Sequence, residues 1–252
     1  MNILVTGAKG FIGRNLIETL HNIRDGKDKS YGLDTDITVF EYDVDTDPAL
    51  LDLYCKNADF VFNLAGVNRP QDPKEFMEGN FGFATVLLET LKKHNNTCPI
   101  MISSSIQAEL NNPYGESKKA GEDLMFAYGK ETGAKVYVYR FTNVFGKWCR
   151  PNYNSAVATF CNNYANDLPI TVNDPSVQLE LLYNFGAGIQ CNKQCCHQGN
   201  QCPECDVLHQ SYSREIHSRL AQVIKQENVV FTSKVVPESR RYVHILLQSR
   251  LK

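Results

Sequence analysis

The tightest constraint on this chain lies within its first twenty residues. A short apolar run, Ile3-Leu4-Val5, leads into Gly7-Ala8-Lys9-Gly10-Phe11-Ile12-Gly13, and apolar residues from Phe11 to Leu20 recur at helical spacing. Few architectures accommodate a buried strand that turns through three evenly spaced glycines into a helix. The first glycine permits the tight turn, the second lets another group approach the backbone, and the third lets helix and strand pack closely. The helix N-terminus then offers backbone N–H groups and the positive end of its dipole. The turn therefore predicts a pyrophosphate site built from Gly7, Lys9, Gly10, Phe11, Ile12 and Gly13.

The rhythm set by this unit continues. Ile37 to Phe40, Asp59 to Leu64, Ile100 to Ile102 and Val136 to Tyr139 read as strands, with helical patterns at Phe83 to Leu91 and Ser117 to Tyr128. Strands alternating with helices imply right-handed crossovers and a parallel sheet covered on both faces. The expected fold is α/β, a Rossmann-like doubly wound parallel sheet, over residues 1–183. From about Asn184 the periodicity fails, and residues 184–252 are expected to form an irregular, disordered or loosely packed tail. A formal net charge of -2 gives no electrostatic reason to expect nucleic acid or a membrane surface as partner. The N-terminus lacks the basic segment and long apolar run of a signal peptide. No stretch approaches the roughly 20 apolar residues that cross a bilayer. A cytoplasmic location is the expectation.

Tyr114-Gly115-Glu116-Ser117-Lys118 places a phenol and an ammonium four residues apart, on one face of a helix. A free phenol has a pKa near 10. A nearby ammonium stabilises the phenolate and lets Tyr exchange a proton with a carbinol or carbonyl oxygen. Upstream, Ser103-Ser104-Ser105 ends a strand, where open α/β sheets place their ligands. A serine there can hydrogen-bond the same oxygen. At the end of the second strand, Asp43 can accept ribose hydroxyls and favour NAD by repelling the extra phosphate of NADP. Lys9 and Arg14 can offset that repulsion, and a merely solvated pair, Asp43 and Asp45, is the alternative.

Together these residues resemble the extended short-chain dehydrogenase/reductase family, of the NAD-dependent epimerase/dehydratase type. By that resemblance the catalytic set is Ser105, with Ser104 second, Tyr114 and Lys118. Leu64, Ala65 and Gly66 lie beside the cofactor, as does Asn80. Asn68, Arg69, Arg140 and Asn143 meet the substrate, with a structural salt bridge as the other reading of Arg140. Residues 65–70, 103–107, 112–118 and 146–155 narrow the likeness to the reductase domains of bifunctional capsular-polysaccharide enzymes, which also carry a cupin. That branch implies NADP(H), a UDP-linked 4-keto-6-deoxy-hexosamine to be reduced, and a homodimer. This chain departs from it in lacking the cupin pattern and in carrying Asp43 where a basic residue would suit NADPH. A nucleotide-sugar epimerase or dehydratase, and a truncated product that binds cofactor without turnover, remain open.

Five of the nine cysteines fall between Cys191 and Cys205. Four thiolates can hold zinc tetrahedrally, but only Cys202 and Cys205 have the close pair spacing. Back-translated from Asn184 and read one base later, every cysteine codon becomes Ala or Val and a helix-forming start emerges. The tail therefore reads as a displaced reading frame, without metal, rather than as a zinc knuckle.

Overall fold

β-branched and aromatic residues dominate the five segments that pair in parallel as β1 (Asn2–Thr6), β2 (Thr38–Tyr42), β3 (Phe60–Asn63), β4 (Ile100–Ser105) and β5 (Val136–Phe141). The structure is a computed structural model and describes residues 1–29, 35–172, 177–184, 229–235 and 243–249. It forms two compact units, 1–141 and 142–252.

In the first unit the sheet order is β2-β1-β3-β4-β5. Among the described residues the sheet stops at β2, so it lacks the outer strand of the six-stranded dinucleotide fold and has the order 2-1-3-4-5. The chain reverses direction across the sheet between β1 and β3, and ligands of open α/β sheets bind in the crevice outside the strand ends at that point. The loops after β1 and β3 are the glycine turn and Leu64-Ala65-Gly66.

Helices α1 (Phe11–Arg24), α2 (Pro48–Asn57), α4 (Phe83–Lys93) and α5 (Pro113–Thr132) connect the strands. A short turn, α3 (Lys74–Phe76), and a π-helical turn, Met77–Gly82, run into α4. Strand side chains alternate between faces. Leu4, Val61, Ile100 and Ile102 form one core with Leu51 of α2, Leu87, Leu88 and Leu91 of α4, and Met125 of α5. Ile3, Val5 and Met101, equally buried, fall on the other face, and α1 buries Leu16, Ile17 and Leu20 outside that cluster. Both faces carry helices, as a doubly wound sheet requires. The start of α2 is marked locally: the Asp47 carboxylate accepts the Ala49 N–H at 2.9 Å, and Pro48 opens the helix.

The second unit contains β6 (Asn143–Phe145), α6 (Ala156–Ala165), β7 (Gln178–Tyr183), β8 (Val229–Val235) and β9 (Val243–Ser249). Its sheet runs β6-β7-β9-β8, parallel between β6 and β7 and antiparallel elsewhere. Two segments of residues 184–252 pair as strands, β8 and β9. Cys191 to Cys205, with its zinc and reading-frame interpretations, lies outside the described residues. Among the described residues no group of His, Cys, Asp and Glu side chains could hold a metal, and no helix is long and apolar enough to cross a membrane.

The glycine turn is held by backbone-to-backbone contact. A Cβ on Gly13 would lie 2.2 Å from the Gly7 carbonyl oxygen, and Gly7 itself sits at φ +66 with the Ala65 nitrogen 2.7 Å from its Cβ position. Neither neighbour is the end of a flexible side chain, so the backbone has to move. Gly13→Ala should lower stability by about 1–3 kcal/mol, read as a shift in the urea midpoint at unchanged slope.

Candidate active site

Three strand ends and one helix converge over the switch point. Asn112 caps α5, its side-chain oxygen accepting the Gly115 N–H at 2.8 Å, and Pro113 opens the first turn. This fixes Tyr114 in the first turn and Lys118 one turn later on the same face. A Cβ on Gly115 would lie 2.2 Å from the Gln107 carbonyl oxygen, so α5 packs directly on the 3-10 turn Ile106–Glu109 that follows β4. That close approach carries Ser105 to Tyr114.

The Ser105 side chain lies close enough to the Tyr114 phenol to act on its titration. The Ser105 oxygen also accepts the Gln107 N–H at 3.2 Å. The Lys118 Nζ donates to the Ser103 carbonyl at 3.3 Å and lies 5.7 Å from the centre of the Tyr114 ring. Phe76 meets that ring edge-on at 5.4 Å. The structure thus brings together the serine, tyrosine and lysine expected from the sequence, and it separates the two serine candidates. The Ser104 hydroxyl donates to Glu122 Oε1 at 2.6 Å, which leaves Ser105 as the one on the phenol.

The electrostatics differ from the sequence expectation. Burial pushes the Tyr114 phenol above its ordinary value, and Ser105 offsets this only in part. Burial is the larger influence on the phenol. Burial also acts on the lysine and pushes its ammonium down from 10.5 to about 8.

Asn80, on the π-helical turn, is buried and spent on the protein. Its Oδ1 accepts the Val67 N–H at 3.0 Å, and its Nδ2 donates to the Val67 carbonyl at 3.2 Å and to Ser117 Oγ at 3.0 Å. Ser117 in turn donates to the Tyr114 carbonyl at 2.7 Å. The side chain expected beside the cofactor therefore staples the Gly66 loop to α5. Gly66 is required there, since its Cβ would lie 2.6 Å from Asn80 Oδ1 and 3.1 Å from Lys118 Nζ. Ser117 was not singled out from the sequence; its spacing three residues after Tyr114 was the available signal.

The glycine turn fits a dinucleotide. Gly10 caps α1 without a side-chain hydrogen bond, so the first turn presents backbone N–H groups and the dipole's positive end rather than a capping oxygen. Asp43 sits at its mouth, Oδ2 accepting the Lys9 N–H at 2.7 Å. Of the substrate candidates, Asn68 and Arg69 are exposed on the loop after β3, and Asn143 belongs to the second unit on β6.

Arg140 takes the salt-bridge reading. Its Nε and Nη2 clasp the Glu122 carboxylate at 2.7 Å each, and its Nη1 meets Glu109 at 2.6 Å. Glu122 is 1% exposed. Burial pushes its carboxyl up, but Arg140 and Ser104 outweigh that and hold it below the ordinary value. The sequence marked Arg140 and overlooked Glu122, two turns beyond Tyr114 on the same helix face. Removing the guanidinium strands a buried charge, so Arg140→Met should cost about 3 kcal/mol at pH 7. The native pair stabilises above the ordinary carboxylate range and loses that contribution in acid, while protonation relieves the variant. The gap in urea stability should therefore shrink from pH 7 to pH 4.

Residues 3–184 match the family described as "NAD dependent epimerase/dehydratase family". UDP-2-acetamido-2,6-beta-L-arabino-hexul-4-ose reductase of Pseudomonas aeruginosa is 44% identical over 183 residues, 73% of this chain and 46% of the relative. UDP-glucuronate 4-epimerase 1 of Arabidopsis thaliana is 28% identical over 226 residues, 73% of this chain and 52% of the relative. This chain spans about half the length of these curated relatives. Among solved structures, the capsular polysaccharide assembling protein CapF from Staphylococcus aureus aligns with TM-score 0.67 at 41% identity, over 81% of this chain and 52% of that one. UDP-glucuronic acid 4-epimerase from Bacillus cereus, in complex with NAD, shares the fold with TM-score 0.59 at 23% identity, over 75% of this chain and 72% of that one. Since the match runs from the first strand past the end of β7, the chain belongs to the NAD dependent epimerase/dehydratase family.

Proposed function

We propose that this chain carries the reductase domain of a nucleotide-sugar enzyme, acting on a UDP-linked 4-keto-6-deoxy-hexosamine with a nicotinamide dinucleotide. The observation that carries the reading is the grouping of Ser105, Tyr114 and Lys118 over the β1–β3 switch point. The likeness to a reductase whose printed name specifies a UDP-linked hexul-4-ose supports the substrate class.

Gly7, Gly10 and Gly13 with the first turn of α1 would hold the pyrophosphate, and Lys118 and the Gly66 loop would lie along the nicotinamide half. When bound, the reduced nicotinamide supplies the hydride. The chain's own residues handle the oxygen. As negative charge builds on the ketone oxygen, the Tyr114 hydroxyl donates its proton and Ser105 donates a hydrogen bond. The Lys118 ammonium stabilises the phenolate left behind. A phenol held above its ordinary value is fully protonated at neutral pH, which suits proton donation and hence reduction. A dehydratase on this scaffold would want an acidic pair beside the serine, and Ile106-Gln107 is not one.

The test is to mix the purified chain with reduced dinucleotide and a UDP-4-keto-6-deoxy-hexosamine and follow absorbance at the nicotinamide band. Stoichiometric oxidation of the dinucleotide supports the reductase; interconversion of sugars with no net oxidation supports an epimerase instead. Tyr114→Phe should slow reduction by about 10²–10⁴-fold while retaining dinucleotide binding. Because the Lys118 ammonium begins to lose its proton near pH 8, the rate should fall along an alkaline limb starting there.

The same burial has a stability consequence. A folded-state value of about 8 against 10.5 means the ammonium disfavours folding, by about 3 kcal/mol, wherever it is charged in both states. That penalty is complete below about pH 8 and disappears as pH rises through 10.5. Lys118→Met should therefore be inactive yet at least as stable as the native chain at pH 7, and its stability advantage should narrow between pH 8 and pH 10.

A further inference from the structure

Ser104 stands where β4 would be expected to continue its apolar face. Ile100 and Ile102 join the core shared with α4 and α5, and strand alternation puts Ser104 on that same face. It is 4% exposed, and Arg140 is its register partner on β5. Its hydroxyl reaches Glu122, and the same carboxylate takes the Arg140 guanidinium. Burial opposes that charge, yet Arg140 and Ser104 keep it ionised at neutral pH. Apolar side chains of similar volume often replace a buried ion pair with no loss of stability. Packing alone therefore gives no reason for this cluster.

Its connections give one. Arg140 Nη1 donates to Glu109 Oε1 at 2.6 Å, and Glu109 ends the 3-10 turn that follows β4. Ser105 lies in the chain between Ser104 and that turn, so the segment bearing it is held on both sides. On the other side of Ser104, the Ser103 carbonyl accepts the Lys118 ammonium. Glu122 stands on α5 one helical turn beyond Lys118 and two beyond Tyr114. Two attachments thus join the end of β4 to α5, Lys118 to Ser103 and Glu122 to Ser104.

We propose that Glu122 is a positioning residue for the reduction, acting through Ser104 to hold the end of β4, and with it Ser105 and the Ser103 carbonyl, in place against Tyr114 and Lys118. The proposal rests on the reductase reading. At 1% exposure Glu122 is out of reach of sugar and dinucleotide, so its influence travels through the strand end. A strand end that drifts from α5 would misplace the serine and the ammonium around the developing oxyanion. The chemical step would slow while ground-state binding stayed as it was.

Two variants of the full chain test this, with reduction of a UDP-4-keto-6-deoxy-hexosamine as the readout. Ser104→Ala leaves the Glu122–Arg140 pair intact. It should lower kcat by about tenfold and keep KM and the dinucleotide Kd within about twofold. Glu122→Gln preserves the side chain's shape but replaces one acceptor oxygen by an amide donor, and should lower kcat by about 10–100-fold. The double variant should lose no more than Glu122→Gln alone, because both changes act through one contact. Urea midpoints and dinucleotide titration report whether each variant is folded, and Ser104→Ala decides the matter if Glu122→Gln is not. Native kcat in Ser104→Ala, a loss confined to KM or to the urea midpoint, or losses that multiply in the double variant overturn the proposal and leave the reductase reading standing. A native chain that binds dinucleotide yet oxidises none with the keto-sugar overturns both.

Discussion

A buried ammonium organises this site. Lys118 is 7% exposed, and among the described residues its partners are the Ser103 carbonyl and the face of the Tyr114 ring, with no carboxylate. Desolvating a cation without a counter-charge is costly, so the surroundings have to make room for it and hold it still. Gly66 makes the room by having no side chain, and Asn80 holds the Gly66 loop against α5. The bare glycine, the asparagine staple and the strand-end carbonyl all follow from the need to place one amine beside one phenol.

Glu122 extends the same logic along α5. Tyr114, Lys118 and Glu122 lie four residues apart, one above another on the helix. The first two face the reaction, while the third locks α5 to the ends of β4 and β5 through Ser104 and Arg140. A bidentate pair at a carboxylate this well buried gives the helix a fixed rotation and a fixed height against the sheet. The placement of Ser105 near Tyr114 depends on that fixity, because one residue ends β4 and the other opens α5.

Much of this was legible in the sequence, for identifiable reasons. The glycine turn could be read because three glycines between a strand and a helix leave few structural options, and the Tyr–Lys pair because helical spacing alone puts both on one face. Ser105 could not be separated from Ser104 by pattern, since the choice depends on Glu122, a carboxylate eighteen residues from Ser104 in sequence. The same long-range pair decided Arg140. The net effect of the surroundings on Tyr114 and Lys118 was not legible because local spacing reports proximity and not burial, and burial raises the phenol and lowers the ammonium. Asn80 was marked by resemblance as lying beside the cofactor, and its amide bonds the loop and α5.

The stacking of three working positions on a single helix limits how this fold can vary. One residue inserted into α5 between Tyr114 and Glu122 would rotate everything beyond it by about 100° and lift it about 1.5 Å. The amine would leave the phenol, or the carboxylate would leave the guanidinium, and no small adjustment could restore both. Beyond Gly133, a left-handed residue with open space around it that ends the helix, the same insertion would disturb none of them. Length changes in a lineage of such chains should therefore gather at the ends of α5, and its interior should drift by substitution alone.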